Sequence, residues 1–217
     1  LIFYITYIVI LYAATRKEGY ILLGAGALAA GAAAAYKLFY HVRVRVAAWK
    51  DPWSDVANKG YQVTQSLFAI GTGGWFGMGL CEGTPQKIPV SKTDFIFSAI
   101  CEEMGVFFGL CIILVEISCF VMFINISLKI NSRFYKLTAL GLSVEYMFQT
   151  FLTIGGVTKF IPSTGVTLPL VSYGGSSVTS TMILFAIIQG LYVKNSGRGE
   201  IGETDGKRQR RSRRNED

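Results

Sequence analysis

Charge is scarce in this chain. Of its 217 residues 16% are Asp, Glu, Lys or Arg, while 51% are hydrophobic, and the mean hydropathy is +0.42. Soluble domains carry roughly 25% charge, so an ordinary water-soluble domain is excluded. Histidine is scarcer still, with His41 alone, and the four cysteines (Cys81, Cys101, Cys111 and Cys119) form no CxxC. That removes the usual zinc patterns; three of the cysteines sit in an apolar run, where Cys behaves as a small hydrophobe. The glycine-rich GTGGWFGMG (Gly71 to Gly79) lacks the GK[ST] of a phosphate loop and is no GxGxxG. Nucleotide binding is therefore set aside in favour of tight turns near a membrane or ligand. The opening run LIFYITYIVILYAA has no basic stretch before it, so this start reads as a truncation within a span rather than as a signal peptide.

What is present is apolar sequence in long runs, and about 20 apolar residues cross a bilayer. Five spans are expected, at 1–14 (cut short), 20–40, 95–124, 137–158 and 176–193, making an all-α polytopic membrane protein. Orientation follows from Lys and Arg in the short connections, which accumulate on the cytoplasmic side. Arg16 and Lys17 join the first two spans, and Lys129, Arg133 and Lys136 join the third and fourth. The opposite connection, 160–175, has neither residue type. Residues 41–94 and 160–175 are thus expected outside, with a membrane domain over 1–194 and a basic, disordered cytoplasmic tail over 195–217. Eight of the 21 basic residues follow Val193, mostly in KRQRRSRR. The net charge of +7 is accordingly read as a membrane-proximal tail that attracts anionic lipid, not as a nucleic-acid surface. In RVRVAAWKDPW, the paired Trp49 and Trp53 beside a span suggest an interfacial segment on the headgroups.

Ionisable groups inside spans mark candidate chemistry, because charge in hydrocarbon is costly. Asp94 precedes the third span, and as a residue type it reads equally as a helix N-cap. Glu102 and Glu103 are expected about 12 Å deeper, at 1.5 Å per helical residue, with one of them facing the protein interior. Glu116 and Glu145 are expected to pair with partners. The stretch FIPSTGVTLPLVSYGGSS (Phe160 to Ser177) breaks an apolar sequence with two prolines, three glycines and many hydroxyls. Irregular backbone at membrane depth needs protein or a wet cavity around it. Its free N–H groups and hydroxyls suit phosphate or sugar oxygens. A plain re-entrant turn, a channel filter or a transporter site is equally admissible on these grounds.

PSTGVTLPLVSYGGSS closely resembles the signature of the SEDS family (FtsW, RodA, SpoVE), and three more blocks stand in that family's order. They are GYQVTQSLFAIGTGGWFGMGL (Gly60 to Leu80), TDFIFSAICEEMG (Thr93 to Gly105) and FQTFLTIGGVTKFIP. The resemblance covers about residues 40–195 and implies the C-terminal half of a ten-helix fold with both ends cytoplasmic. It implies a peptidoglycan glycosyltransferase that polymerises lipid II, for division, elongation or sporulation, at the outer face of the bacterial cytoplasmic membrane. Asp94, in DFIF, would be the catalytic base. Lys159, Ser163, Thr164, Gly165, Ser172, Tyr173, Gly174, Gly175, Ser176 and Ser177 would bind substrate. Glu102, Glu103, position 64 in the GYQVTQS block and Gln149 would support them. A divalent cation (Mg or Mn) is allowed, with no metal ligand assigned and no organic cofactor. The implied partners are lipid II, membrane lipid and a class B penicillin-binding protein. A lipid II flippase or a non-catalytic scaffold for that protein are the alternatives. The sequence departs from the family pattern at Pro89-Val90, where many relatives have Pro-Glu, and at Leu170, where Phe is common. GVTLP leans towards FtsW-like members.

Overall fold

The computed structural model describes residues 1–56, 58 and 60–213, with side chains through Asn195. The regular elements among its described residues are all helices: α1 (Ile2–Thr15), α2 (Gly19–Leu38), α3 (Tyr40–Lys50), α4 (Tyr61–Gly73), a 3₁₀ turn (Pro85–Lys87), α5 (Ile96–Lys129), α6 (Arg133–Val157) and α7 (Gly175–Arg213). Four stretches are long and apolar enough to cross a membrane: Gly19–Leu38, Ile96–Lys129, Arg133–Val157 and Gly175–Asn195. With the shorter apolar α1 beside them, the chain is a multi-pass membrane protein. The tail expected to be disordered is helical backbone as far as Arg213, where no proline interrupts the ladder. Its residues 214–217 lie outside the described residues.

The ends of the spans gather their polar groups at one level. The guanidinium of Arg133 donates to the carbonyl of Ala14. Lys194 Nζ donates to the Tyr135 hydroxyl at 2.8 Å, and Asn195 Nδ2 donates to the Lys129 carbonyl at 3.0 Å. One end of α1, α5, α6 and α7 is thereby tied together, at the basic residues of the short connections. Midway, Phe123, Tyr146 and Ile188 form a buried cluster, with edge-to-face packing of Phe123 on Phe185 at 4.8 Å. Glu116 is buried nearby and accepts from Thr150 Oγ1 at 3.3 Å, which supplies the partner it was expected to need.

Toward the other end, Phe95, Phe97, Ala99, Cys101, Val157 and Leu168 make a second core together with Ala69 and Ile88. Ser66 of α4 lies 2.6 Å from Ser98 of α5 and donates to the carbonyl of Val157 in α6 at 2.9 Å. A buried hydroxyl survives here because it is bonded on both sides. This core carries the functional site on its rim.

The 41–94 connection holds two helices and a 3₁₀ turn, and within it the half-buried Trp49 donates its indole N–H to the Lys159 carbonyl at 3.1 Å. Glu102 and Glu103 keep their helical rise from Asp94, since α5 breaks only beyond them, at Gly105 (φ 86°, ψ 164°). An upright helix from Ile96 to Lys129 is about 51 Å long at 1.5 Å per residue, against about 30 Å of hydrocarbon. α5 is thus longer than one crossing of the hydrocarbon needs.

Candidate functional site

Asp94 is not a helix cap. The N-cap position of α5 is Phe95, and no side chain caps that helix. Phe95 is 2% exposed, so the core pins the residue next to Asp94 and leaves the carboxylate at the rim. Two further bonds fix the approach. The Ser172 hydroxyl donates to the Thr93 carbonyl at 2.7 Å, and the Tyr173 N–H donates to the Lys92 carbonyl at 2.8 Å. The signature stretch is therefore stapled to the two residues before Asp94. Ser172 itself is buried, and it also accepts from the Leu168 N–H at 2.8 Å. With both capacities used, it holds backbone rather than facing a ligand.

The rest of the signature dips back along α6. Gln149 Nε2 donates to the Thr167 carbonyl at 2.9 Å, and Thr153 Oγ1 donates to the Val166 carbonyl at 2.9 Å. Thr167 and Ser177 share a hydrogen bond of 2.7 Å between their hydroxyls. These side chains satisfy an irregular backbone that lipid could not.

Two cavities meet at Asp94. One, of about 530 Å³, is lined by Thr93, Asp94, Glu145, Gln149, Val166, Thr167, Tyr173, Gly174, Ser176, Ser177 and Ser180, with Ile2 and Phe3 of α1 across from them. The other, of about 400 Å³, is lined by Tyr40, His41, Val44, Arg45, Ala48, Gln62, Val63, Asp94, Ser163 and Gly165. The expected meeting of Asp94 with the 163–177 segment is there. Gly165 marks the closest point: a Cβ on it would lie 3.4 Å from Asp94 Oδ2 and 3.6 Å from Arg45 Nη2. Its φ of 71° is one that few other residues adopt. Arg45 is held there by donating from Nη1 to the Ser163 carbonyl at 3.2 Å.

Several expected residues stand elsewhere. Lys159 lies just past the C-cap of α6, with φ 62°, and lines neither Asp94 cavity. Thr164 lines a third, largely apolar cleft with Leu28, Phe148, Leu152 and Ile161. Gly175 starts α7 in an adjoining groove with Lys92 and Ile96, which shares Tyr173 and Gly174 with the first Asp94 cavity. Glu102 is buried and accepts from the Thr84 N–H at 3.1 Å, away from both cavities. Glu103 lines neither cavity as well. Position 64 is Thr64, buried and donating to the Gly60 carbonyl at 2.7 Å, while Gln62 takes the place in the cavity. Among the described residues no group of three or more His, Cys, Asp or Glu could hold a metal ion.

Sequence reasoning missed Arg45 and Glu145. Arg45 was hidden in an alternating Arg-Val run that looks like an interfacial edge. Glu145 lies four residues before Gln149, one helical turn away on the same face, and that spacing could have placed both in one cavity. Instead of pairing, Glu145 lines the Asp94 cavity.

A family model described as cell cycle protein, FTSW_RODA_SPOVE, matches residues 1–197. A protein named peptidoglycan glycosyltransferase RodA from Mycobacterium tuberculosis (strain ATCC 25618 / H37Rv) is 41% identical over 188 residues, 87% of this chain and 40% of that protein. One named probable peptidoglycan glycosyltransferase FtsW from Aliivibrio salmonicida is 38% identical over 155 residues, 69% of this chain and 38% of that protein. The lean of GVTLP towards FtsW is thus not matched by the higher identity, which is to RodA. A solved structure titled "Structural coordination of polymerization and crosslinking by a peptidoglycan synthase complex" superposes with a TM-score of 0.66 at 23% identity, covering 86% of this chain and 52% of that one. This chain spans about 40% of the length of the curated relatives it matches. With the signature blocks folded around one rim and a family model running through all five apolar helices, the chain belongs to the FtsW/RodA/SpoVE family of cell cycle proteins.

Proposed function

We propose that the protein to which this chain belongs is a peptidoglycan glycosyltransferase that polymerises lipid II. The observation that carries this reading is the meeting of Asp94, Arg45 and the signature backbone around Gly165. Asp94 takes the proton from the C4 hydroxyl of an acceptor sugar, and that oxygen attacks the anomeric carbon of a lipid-linked donor. The bond from that carbon to the diphosphate breaks, and undecaprenyl diphosphate leaves. A carboxylate within hydrogen-bond reach of a hydroxyl suits the first step. A guanidinium, which binds phosphate through a planar fork, suits the last. Lys159 was the expected cation for this role; Arg45 replaces it in the reading because it stands at the Asp94 cavity.

The hydroxyls of Ser163, Ser176, Ser177 and Tyr173, with the backbone of Gly165 and Gly174, supply polar groups for sugar and phosphate oxygens. A divalent cation would find one carboxylate in Asp94, which suits a magnesium ion held mostly by phosphate oxygens; when bound it would neutralise the leaving diphosphate. The site lies on the outer side of the cytoplasmic membrane, in agreement with the basic residues at the opposite ends of the spans. The partner is a class B penicillin-binding protein, consistent with the synthase complex to which the fold is similar.

The test is polymerisation of lipid II by the full-length protein carrying Asp94→Asn, with and without its penicillin-binding partner. The amide cannot accept the proton, so product should vanish while insertion and partner binding persist. Near-normal polymerisation would remove Asp94 as the base. Normal polymerisation with failure to support growth would favour the scaffold.

A further inference from the structure

At the break in α5 at Gly105, four backbone groups of that helix pair with the glycine-rich segment after α4. The Met78 N–H donates to the Glu102 carbonyl and the Gly79 N–H to the Glu103 carbonyl, both at 3.0 Å. In return, the Val106 N–H donates to the Gly74 carbonyl at 2.9 Å and the Phe107 N–H to the Trp75 carbonyl at 3.2 Å. The approach is close enough to require glycine: a Cβ on Gly77 would lie 2.2 Å from the Glu103 carbonyl oxygen, and one on Gly105 would lie 2.3 Å from that of Trp75. The 74–79 segment is thus fastened rigidly to one height of α5.

With Lys129 taken as the inner boundary, that height falls at the outer edge of the hydrocarbon. Gly105 is 24 residues from Lys129, about 36 Å along a helix, where a core of about 30 Å has just ended. The fastened segment turns its large apolar side chains outward, with Trp75 68%, Phe76 88% and Leu80 71% exposed. Phe107, whose N–H bonds to the Trp75 carbonyl, is exposed beside them, and Leu114, two helical turns further along α5, is exposed on the same helix face. An isolated aqueous loop would not present Trp, Phe and Leu in this way, whereas Trp and its aromatic neighbours favour the headgroup level.

We propose that Trp75, Phe76 and Leu80 are an interfacial anchor inserted into the outer leaflet, which sets the height of the half-helix following Asp94. The occupant of this patch is lipid, because the surface is continuous with the lipid-length face of α5 and is fastened at the level where hydrocarbon ends. The proposal does not depend on the chemistry assigned to Asp94.

The test uses the full-length protein with its other reactive cysteines, Cys81 and Cys111 among them, replaced by serine. Phe76→Cys is spin-labelled and reconstituted in nanodiscs without a partner protein. At 88% exposure this position tolerates the label. Collisions with lipid-soluble oxygen should exceed those with an aqueous nickel chelate, placing the label within about 10 Å of the headgroup boundary. A label open to nickel chelate would put the tip in water and overturn the anchor. A label sheltered from both reagents would show that protein, such as the rest of the full-length chain, covers the patch, and would overturn it too. A second label at Leu80→Cys should report the same depth; divergence of the two would mean that the segment does not lie along the interface.

Discussion

Asp94, in the turn before α5, and Arg45, on α3, face the same point: the site of a Cβ on Gly165 is 3.4 Å from the carboxylate of one and 3.6 Å from the guanidinium of the other. A proton acceptor and a fixed cation are thereby set side by side without being locked in a mutual hydrogen bond. Replacing Arg45 by Ala should lower lipid II polymerisation by the full-length protein on the order of 10- to 100-fold, the worth of a charge-assisted hydrogen bond. Arg45→Lys should fall between the two, keeping charge but losing the fork. Initial rates of glycan formation check this; an unchanged rate in Arg45→Ala would detach Arg45 from the chemistry.

Ser172 tests the staple. Ser172→Ala leaves the Leu168 N–H without an acceptor and the Thr93 carbonyl without its donor, at a cost of about 2 kcal/mol for buried groups. A lower melting temperature in detergent should accompany weaker activity, since Thr93 adjoins Asp94. Ser176→Ala, at an exposed position, should leave the melting temperature unchanged.

The glycines near α4 should divide sharply. Gly105→Ala meets backbone at 2.3 Å with φ at 86°, and left-handed strain plus the clash should destabilise the protein by at least ~2 kcal/mol. Gly71 sits inside α4 with nothing within 4 Å of its Cβ position. Gly71→Ala should be neutral or stabilising by up to about 1 kcal/mol. Thermal unfolding followed by size-exclusion profile separates the two.

Membrane sidedness is checked by cysteine accessibility. Cysteines placed at Ser91 and Ser163 should react with a membrane-impermeant maleimide added outside intact cells. Those at Ser132 and Ser196 should react only after permeabilisation, because basic residues surround them. A reversal between 91 and 132 would undo the assignment of α5 as a span.

The parts of this fold that sequence exposes are those whose signal is local. Apolar runs give the spans, and the Pro-, Gly- and hydroxyl-rich signature gives the irregular segment that meets Asp94. What stayed hidden depends on pairing across distance. The GTGGWFGMG glycines read as tight turns, yet their reason lies in α5, whose broken ladder they complete. Arg45 looked like part of an alternating surface edge because nothing within RVRV indicates that Ser163 will present a carbonyl to it.

The bonds from Ser172 and Tyr173 to Thr93 and Lys92 have a consequence for the reaction's energetics. They exist before any substrate arrives, so the acid and the loop that faces it are already mutually oriented. The entropy of bringing them together is charged to folding rather than to each catalytic cycle. A donor and acceptor entering this rim therefore need only order themselves.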